Sequence, residues 1–209
     1  MPLFIHRKAD NYQWAIWKIA ESETELLSLL PHPETYHRQM EKFKALSRRC
    51  EWLAVRVLLQ EMIGEEKEIK YQESGKPYLA DGSLNISISH TKGYATIILS
   101  KEKAVGIDIE RFGHRVEKVT SHYMRDDEVA QPYQGDKAWS LLLHWSAKET
   151  VYKCLGLREV DLIQELRIFP FDIETEGAFQ AQELKTHDQK IFKINYLLHP
   201  DFVLTCTLL

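Results

Sequence analysis

The sequence predicts an α+β fold, and three observations carry that prediction. Two long stretches, residues 34–62 and 136–155, place apolar side chains at helical spacing. Most of the remainder reads as short runs rich in aromatic and β-branched residues. Those runs follow one another mainly through brief polar turns. Hairpin-joined strands with segregated helices are therefore expected, rather than a doubly wound parallel sheet.

Residues 12–19 (YQWAIWKI) read as a strand, and residues 23–30 as a short helix stopped near Pro31 and Pro33. In the first long helix, Phe43, Leu46, Cys50, Leu53 and Val57 recur at three- and four-residue steps and make one buried stripe. Gly64 is its stop. Residues 73–77 (ESGKP) are turn material. Residues 84–89 and 94–99 read as two strands joined through His90, Thr91, Lys92 and Gly93, and residues 104–110 as another. Residues 111–135 mix a short helix with loops. The second long helix ends before Gly156, and strand-like runs follow at 165–169, 190–197 and 202–208.

With 209 residues, 44% of them hydrophobic and 28% charged, the chain has the profile of a soluble globular protein. The net charge of −4 argues against a nucleic-acid binder. No apolar run approaches the ~20 residues a membrane span needs, and at the N-terminus the charges follow the apolar stretch, the reverse of a secretory signal. Cys50, Cys154 and Cys206 are too scattered for a disulfide framework or a zinc motif, so a reducing cytoplasm is expected.

The chemistry concentrates in two places. In Val105-Gly106-Ile107-Asp108-Ile109-Glu110, strand alternation sends the three aliphatic residues to a core. Asp108 and Glu110 share the other face, with Gly106 expected to leave open space before them. Paired carboxylates resist ionising together, and a hard divalent cation such as Mg²⁺ relieves that repulsion. A solvated edge carrying two ordinary acids is the bland reading. On the second long helix, Trp145, Glu149 and Lys153 fall within roughly 80° of one another, flanked by Lys148 and Tyr152. The bland reading there is a Glu149–Lys153 surface pair. The sharper one makes Glu149 a third metal-directed acid or a base, and Lys153 a phosphate ligand.

Cations for an anionic ligand recur elsewhere. Lys42, Arg49 and Arg56 form a stripe with Trp52 between the two arginines. It reads either as stems lying along a core edge or as guanidinium groups for a phosphate. Gly75-Lys76-Pro77 joins a permissive backbone to a cation and a rigid turn. Ser89 and His90 offer two phosphate donors at a strand end.

Taken in chain order, Gly75-Lys76-Pro77, NISISHT (85–91), VGIDIE (105–110) and WSAKETVYK (145–153) resemble the Sfp-type phosphopantetheinyl transferases. The last two match that family's (V/I)G(V/I)D(V/I)E and W-x-x-K-E-(S/A)-x-x-K patterns. Arg38 and the stretch from Arg48 to Arg56 look like its first helix. Thr91 replaces a usual Ser, and Thr150 a usual Ser or Ala.

The resemblance implies two similar α+β subdomains related by a pseudo-twofold axis. Residues 1–103 would carry coenzyme A-binding elements and residues 104–209 the metal-binding acids. It implies Mg²⁺ at Asp108, Glu110 and Glu149, and Arg49 or Arg48, with His90, on the 3′-phosphate of coenzyme A. Lys76, with its neighbour Pro77, would meet the adenine nucleotide, Ser89 the phosphates, and Lys148 and Lys153 the pyrophosphate; Arg56 belongs to the same cofactor-binding set. Glu149, Lys153 and Asp108 would form the catalytic group. The implied partner is an apo acyl or peptidyl carrier protein, docking at the basic residues 37–44, and the implied state is a cytoplasmic monomer. A non-catalytic binder of coenzyme A or of a carrier domain, and a Mg²⁺-dependent phosphohydrolase of another fold, are the alternatives.

Overall fold

A computed structural model describes residues 3–156 and 159–209, so the first two residues of the stretch read for a signal lie outside it. In chain order the elements are β1 (Leu3–Lys8), β2 (Tyr12–Lys18), α1 (Glu23–Ser28), α2 (Pro33–Met40), α3 (Leu46–Ile63), β3 (Ile69–Tyr71), β4 (Pro77–Leu79), β5 (Asn85–Thr91) and β6 (Tyr94–Ser100). Then come β7 (Val105–Arg111), a 3₁₀ helix (His114–His122), α4 (Ala138–Leu155), β8 (Leu166–Ile168), β9 (Glu176–Glu183), β10 (Ile191–His199) and β11 (Phe202–Leu208).

The strands make a four-stranded sheet in the order β1-β2-β6-β5 and a five-stranded sheet in the order β7-β11-β10-β9-β8, with β3 and β4 as a separate hairpin. All pairings are antiparallel. The α+β prediction therefore holds.

Four layers result. In β2, Ala15 and Trp17 face α3 and pack with its Leu53 and Val57. The alternate residues Trp14 and Ile16 face the second sheet and pack with Ile107 and Leu204. A strand buried on both faces reads as a continuous apolar run, which is why WAIW shows no alternation. On the far side, Leu143, Ala147 and Val151 of α4 pack on Phe192 and Ile194. The order is helix, sheet, sheet, helix, and each half backs one sheet with one long helix.

The predicted helix over 34–62 is two helices. Phe43 N–H bonds Met40 O at 2.8 Å, and the Phe43 ring turns back onto Trp52, 6.0 Å between centroids. That packing breaks the stripe between α2 and α3. The strands β1 and β9 were not legible in the sequence. Glu-Gly-Ala-Phe-Gln-Ala-Gln-Glu lacks β-branched residues, and β9 owes its form to its neighbours β10 and β8.

Candidate active site

Asp108 and Glu110 lie on the face of β7 covered by α4. Gly106 shares that face, and a Cβ there would overlap Thr150 O and sit 2.9 Å from Cys154 Cβ. This corrects the expectation that Gly106 opens space for a ligand. Its missing side chain lets α4 lie directly against β7, and that close approach brings Lys153 and Trp145 to the strand acids.

Lys153 Nζ donates to Asp108 Oδ1 at 2.6 Å and to Ser89 Oγ at 3.0 Å. Ser89 Oγ donates to the same Asp108 oxygen at 2.9 Å. Trp145 Nε1 donates to Glu110 Oε1 at 3.0 Å. Asp108 is buried, and its second oxygen, Oδ2, has no hydrogen-bond partner among the described residues.

Burial pushes Glu110 up to about 7, with the Asp108 charge adding to the rise. Glu149 is raised too, first by burial and then by Asp108. Glu110 and Glu149 thus resist ionising beside the Asp108 carboxylate, one of whose oxygens is orphaned among the described residues. They are not drawn tightly together. Among the described residues, the trio of His and acid side chains whose ligand atoms all lie within 4.8 Å of one another is His114, Glu117 and Asp136, at a largely exposed place. Asp108 and Glu110 are each held by a different donor, Lys153 and Trp145.

Beside this group lies a cleft of about 170 Å³. Gly75, Lys76 and Pro77 line one side, Tyr152, Lys153 and Gly156 the other. Lys76 Nζ crosses between the halves to Cys154 O at 3.1 Å. It passes Gly156, where φ is +64° and a Cβ would sit 2.6 Å from Lys76 Cδ. The structure therefore brings Lys76, Pro77, Ser89, Asp108 and Lys153 to one place.

Three predicted ligands stand elsewhere. Arg49 is turned to Glu23, 2.5 Å away, and to Phe43 O. The arginine beside His90 is Arg48, whose Nη1 contacts the imidazole and also pairs with Glu51 at 3.2 Å. Adjacent helix positions differ by ~100°, so only one of the two can face the strand end. Burial and Arg48 together lower the proton affinity of His90.

Arg56 is buried, stacked 3.4 Å over the Trp52 ring with Nη1 on Trp52 O, and burial pulls it down to about 10. It serves the first core rather than the cleft. Lys148 is wholly buried and is not among the residues lining the cleft. Its ammonium donates to Tyr123 O at 2.5 Å, Glu128 Oε2 at 2.8 Å and Leu162 O at 3.0 Å. An ammonium has three donors, so none is left for a phosphate.

Two participants were missed in the sequence. Glu51, beside Arg48 and 3.4 Å from His90, had the ordinary signal of an i,i+3 pair. Trp145 was placed on the right face, but its indole bond to Glu110 could not be read from spacing. Beyond Glu110 a groove of about 750 Å³ is lined by the cations Lys92, Arg111 and Arg115 and by apolar Phe112, Val116 and Val119.

Residues 104–207 match the family model of the 4'-phosphopantetheinyl transferase superfamily. The chain is 42% identical over 120 residues to 4'-phosphopantetheinyl transferase AcpT of Salmonella typhimurium, covering 52% of this chain and 60% of that protein. It is 30% identical over 150 residues to 4'-phosphopantetheinyl transferase AcpT of Escherichia coli K12, covering 68% of this chain and 74% of the other. The chain thus spans about 60% of the length of the Salmonella relative. On these matches, the chain belongs to the 4'-phosphopantetheinyl transferase superfamily.

Proposed function

We propose that the protein transfers the 4'-phosphopantetheine arm of coenzyme A to a serine of an apo carrier protein, releasing adenosine 3',5'-bisphosphate. The observation that carries this reading is the buried Asp108. Its one oxygen is held by Lys153 and Ser89 at the edge of the Lys76 cleft, and its other oxygen is orphaned.

The donor set suits Mg²⁺. A hard cation would satisfy the orphaned oxygen and offset both the burial and the Asp108 charge that raise Glu110 and Glu149. Asp108, Glu110 and Glu149 would hold it, and when bound it would draw charge from the phosphate under attack. Lys153 donates to a pyrophosphate oxygen. His90 donates to a phosphate, and Lys76 with Pro77 walls the nucleotide; Ser89, whose single hydroxyl hydrogen goes to Asp108, holds that carboxylate rather than the phosphate first expected of it. Arg48, rather than Arg49, takes the 3'-phosphate with His90. Glu149 accepts the proton of the carrier serine as the serine oxygen bonds to phosphorus. The phosphorus–oxygen bond to the departing adenosine bisphosphate then breaks, with Lys153 beside the charge that develops. Positioning and charge neutralisation are the main demands of such a transfer.

In this reading residues 1–103 supply nucleotide contacts and residues 104–209 the acids. Both walls of the cleft in one chain support an Sfp-type monomer. The cationic and apolar groove beside Glu110 is a better landing place for an acidic carrier helix than residues 37–44, because it opens next to the acids. Free Cys50, Cys154 and Cys206 suit a reducing cytoplasm. Among the described residues no helix is long and apolar enough to cross a membrane.

The test is intact-protein mass spectrometry of apo acyl and peptidyl carrier proteins incubated with the protein, coenzyme A and Mg²⁺. A phosphopantetheine adduct is expected. Coenzyme A binding with no adduct on any carrier would overturn the catalytic reading in favour of a binding protein.

A further inference from the structure

The strands β5 and β7 are edges of two different sheets, and they lie side by side. Among the described residues no backbone hydrogen bond joins them. An edge strand carries unpaired N–H groups, and burying one without a partner is costly. Here side chains supply the partners. Ser87 Oγ accepts from Ile107 N–H at 3.2 Å, and Thr91 Oγ1 accepts from Arg111 N–H at 3.2 Å. Between them, Ser89 Oγ donates to Asp108 Oδ1. Residues 87, 89 and 91 share one face of β5 because strand side chains alternate. The repeated hydroxyl in Ser87-Ile88-Ser89-His90-Thr91 is therefore the sequence trace of a seam.

We propose that Ser87 and Thr91 are positioning residues, whose hydroxyls replace a β-ladder between the two sheets and fix where Asp108 stands relative to Ser89. A backbone ladder would draw the strands to ~4.8 Å and merge the sheets into one. A hydroxyl rung adds the reach of a side chain, so the sheets meet at two anchored points and the cleft stays open beside them. Ser87 itself lines that cleft and is buried. The two anchored amides, Ile107 and Arg111, bracket Asp108 and Glu110. Fixing them fixes the direction in which both acids leave β7. The proposal rests on the reading above only for the identity of the ion.

The test compares Ser87→Ala and Thr91→Val with the conservative Ser87→Thr and Thr91→Ser in the full-length chain. Amide exchange at Ile107 and Arg111, the carboxyl ¹³C shift of Asp108 and Mn²⁺ affinity are measured together. Loss of one net hydrogen bond predicts exchange about fivefold faster at the amide whose partner is removed. The Asp108 carboxyl shift is expected to move in both variants and Mn²⁺ binding to weaken severalfold, with the hydroxyl-keeping variants close to wild type. Faster exchange with an unmoved Asp108 shift would leave the seam merely structural and overturn the proposal. Unchanged exchange would overturn the seam itself. If the wild type binds no Mn²⁺, the metal reading falls, while the amides and the Asp108 shift still decide this one.

Discussion

Ser89 Oγ donates a 2.9 Å hydrogen bond to Asp108 Oδ1, so a strand of the first sheet meets a strand of the second through two buried side chains. Lys153 joins them from α4. Three elements from both halves thus converge on one carboxylate. Helix and strand patterns predicted each of the three residues separately; the packing of Gly106 against Thr150 explains how Lys153 reaches Asp108.

The base proposed for this group is Glu149, which burial and Asp108 make a better proton acceptor than an ordinary carboxylate. Glu149→Gln keeps the shape and removes the acceptor. Transfer to a carrier is expected to fall by roughly 10²–10⁴-fold, with coenzyme A affinity by calorimetry nearly unchanged. A Gln variant as active as wild type would remove Glu149 from the chemistry.

Arg48 and Arg49 separate two roles that adjacent sequence positions could not. Arg48 faces His90, whereas Arg49 is paired with Glu23. Arg48→Gln is expected to weaken coenzyme A binding by roughly 10- to 100-fold, the range for a hydrogen bond to a charged group. Affinity for 3'-dephospho-coenzyme A should barely change. Arg49→Gln should leave both affinities near wild type. Calorimetry with the two ligands reads the difference, and equal losses for both would refute the 3'-phosphate assignment.

Lys148 carries the opposite lesson. It sits inside the motif that resembles the family most closely, yet its ammonium and the Glu128 carboxylate are both fully buried, 2.8 Å apart. Removing one partner of such a pair strands the other charge. Lys148→Met is therefore expected to cost about 3–5 kcal/mol in urea denaturation. Adding Glu128→Gln should recover much of that loss. A stable Lys148→Met protein with weakened coenzyme A binding would restore the pyrophosphate role.

The rise of Glu110 to about 7 has a defined sign. The folded protein holds this proton more tightly than the unfolded chain does. The resulting stabilisation is full below the ordinary carboxylate range and is lost as pH rises through about 7. In chelator, melting temperature should therefore decline over that window, and Glu110→Gln should flatten the decline. An identical pH profile in the variant would show that another group carries it.

What the sequence disclosed was whatever depends on period. Strand alternation placed Asp108 and Glu110 together, and helical spacing put Trp145, Glu149 and Lys153 on one face. Side chains whose role depends on a partner from another element stayed hidden. Arg56 has the spacing of a surface cation and ends over Trp52. Ser87 read only as part of a strand and Thr91 as part of the connection after it, and both serve as acceptors for β7. Composition hid β9, because its pairing with β10 supplies what its residues lack in propensity.

Gly106 is where these levels meet, and it gives the sharpest structural prediction. The close approach of α4 leaves no room for a methyl group, since the atom it would strike, Thr150 O, is a backbone carbonyl of α4 that cannot rotate away. Gly106→Ala must push α4 off β7, which moves Lys153 from Asp108 and Trp145 from Glu110 together. The expected cost is about 3 kcal/mol, the upper end of overpacking, with transfer lost even where folding survives. Denaturation gives the stability, and the indole N–H resonance of Trp145 reports its bond to Glu110. A variant that folds with wild-type stability and an unshifted indole resonance would show that helix and strand are not packed as closely as the Gly106 contact requires.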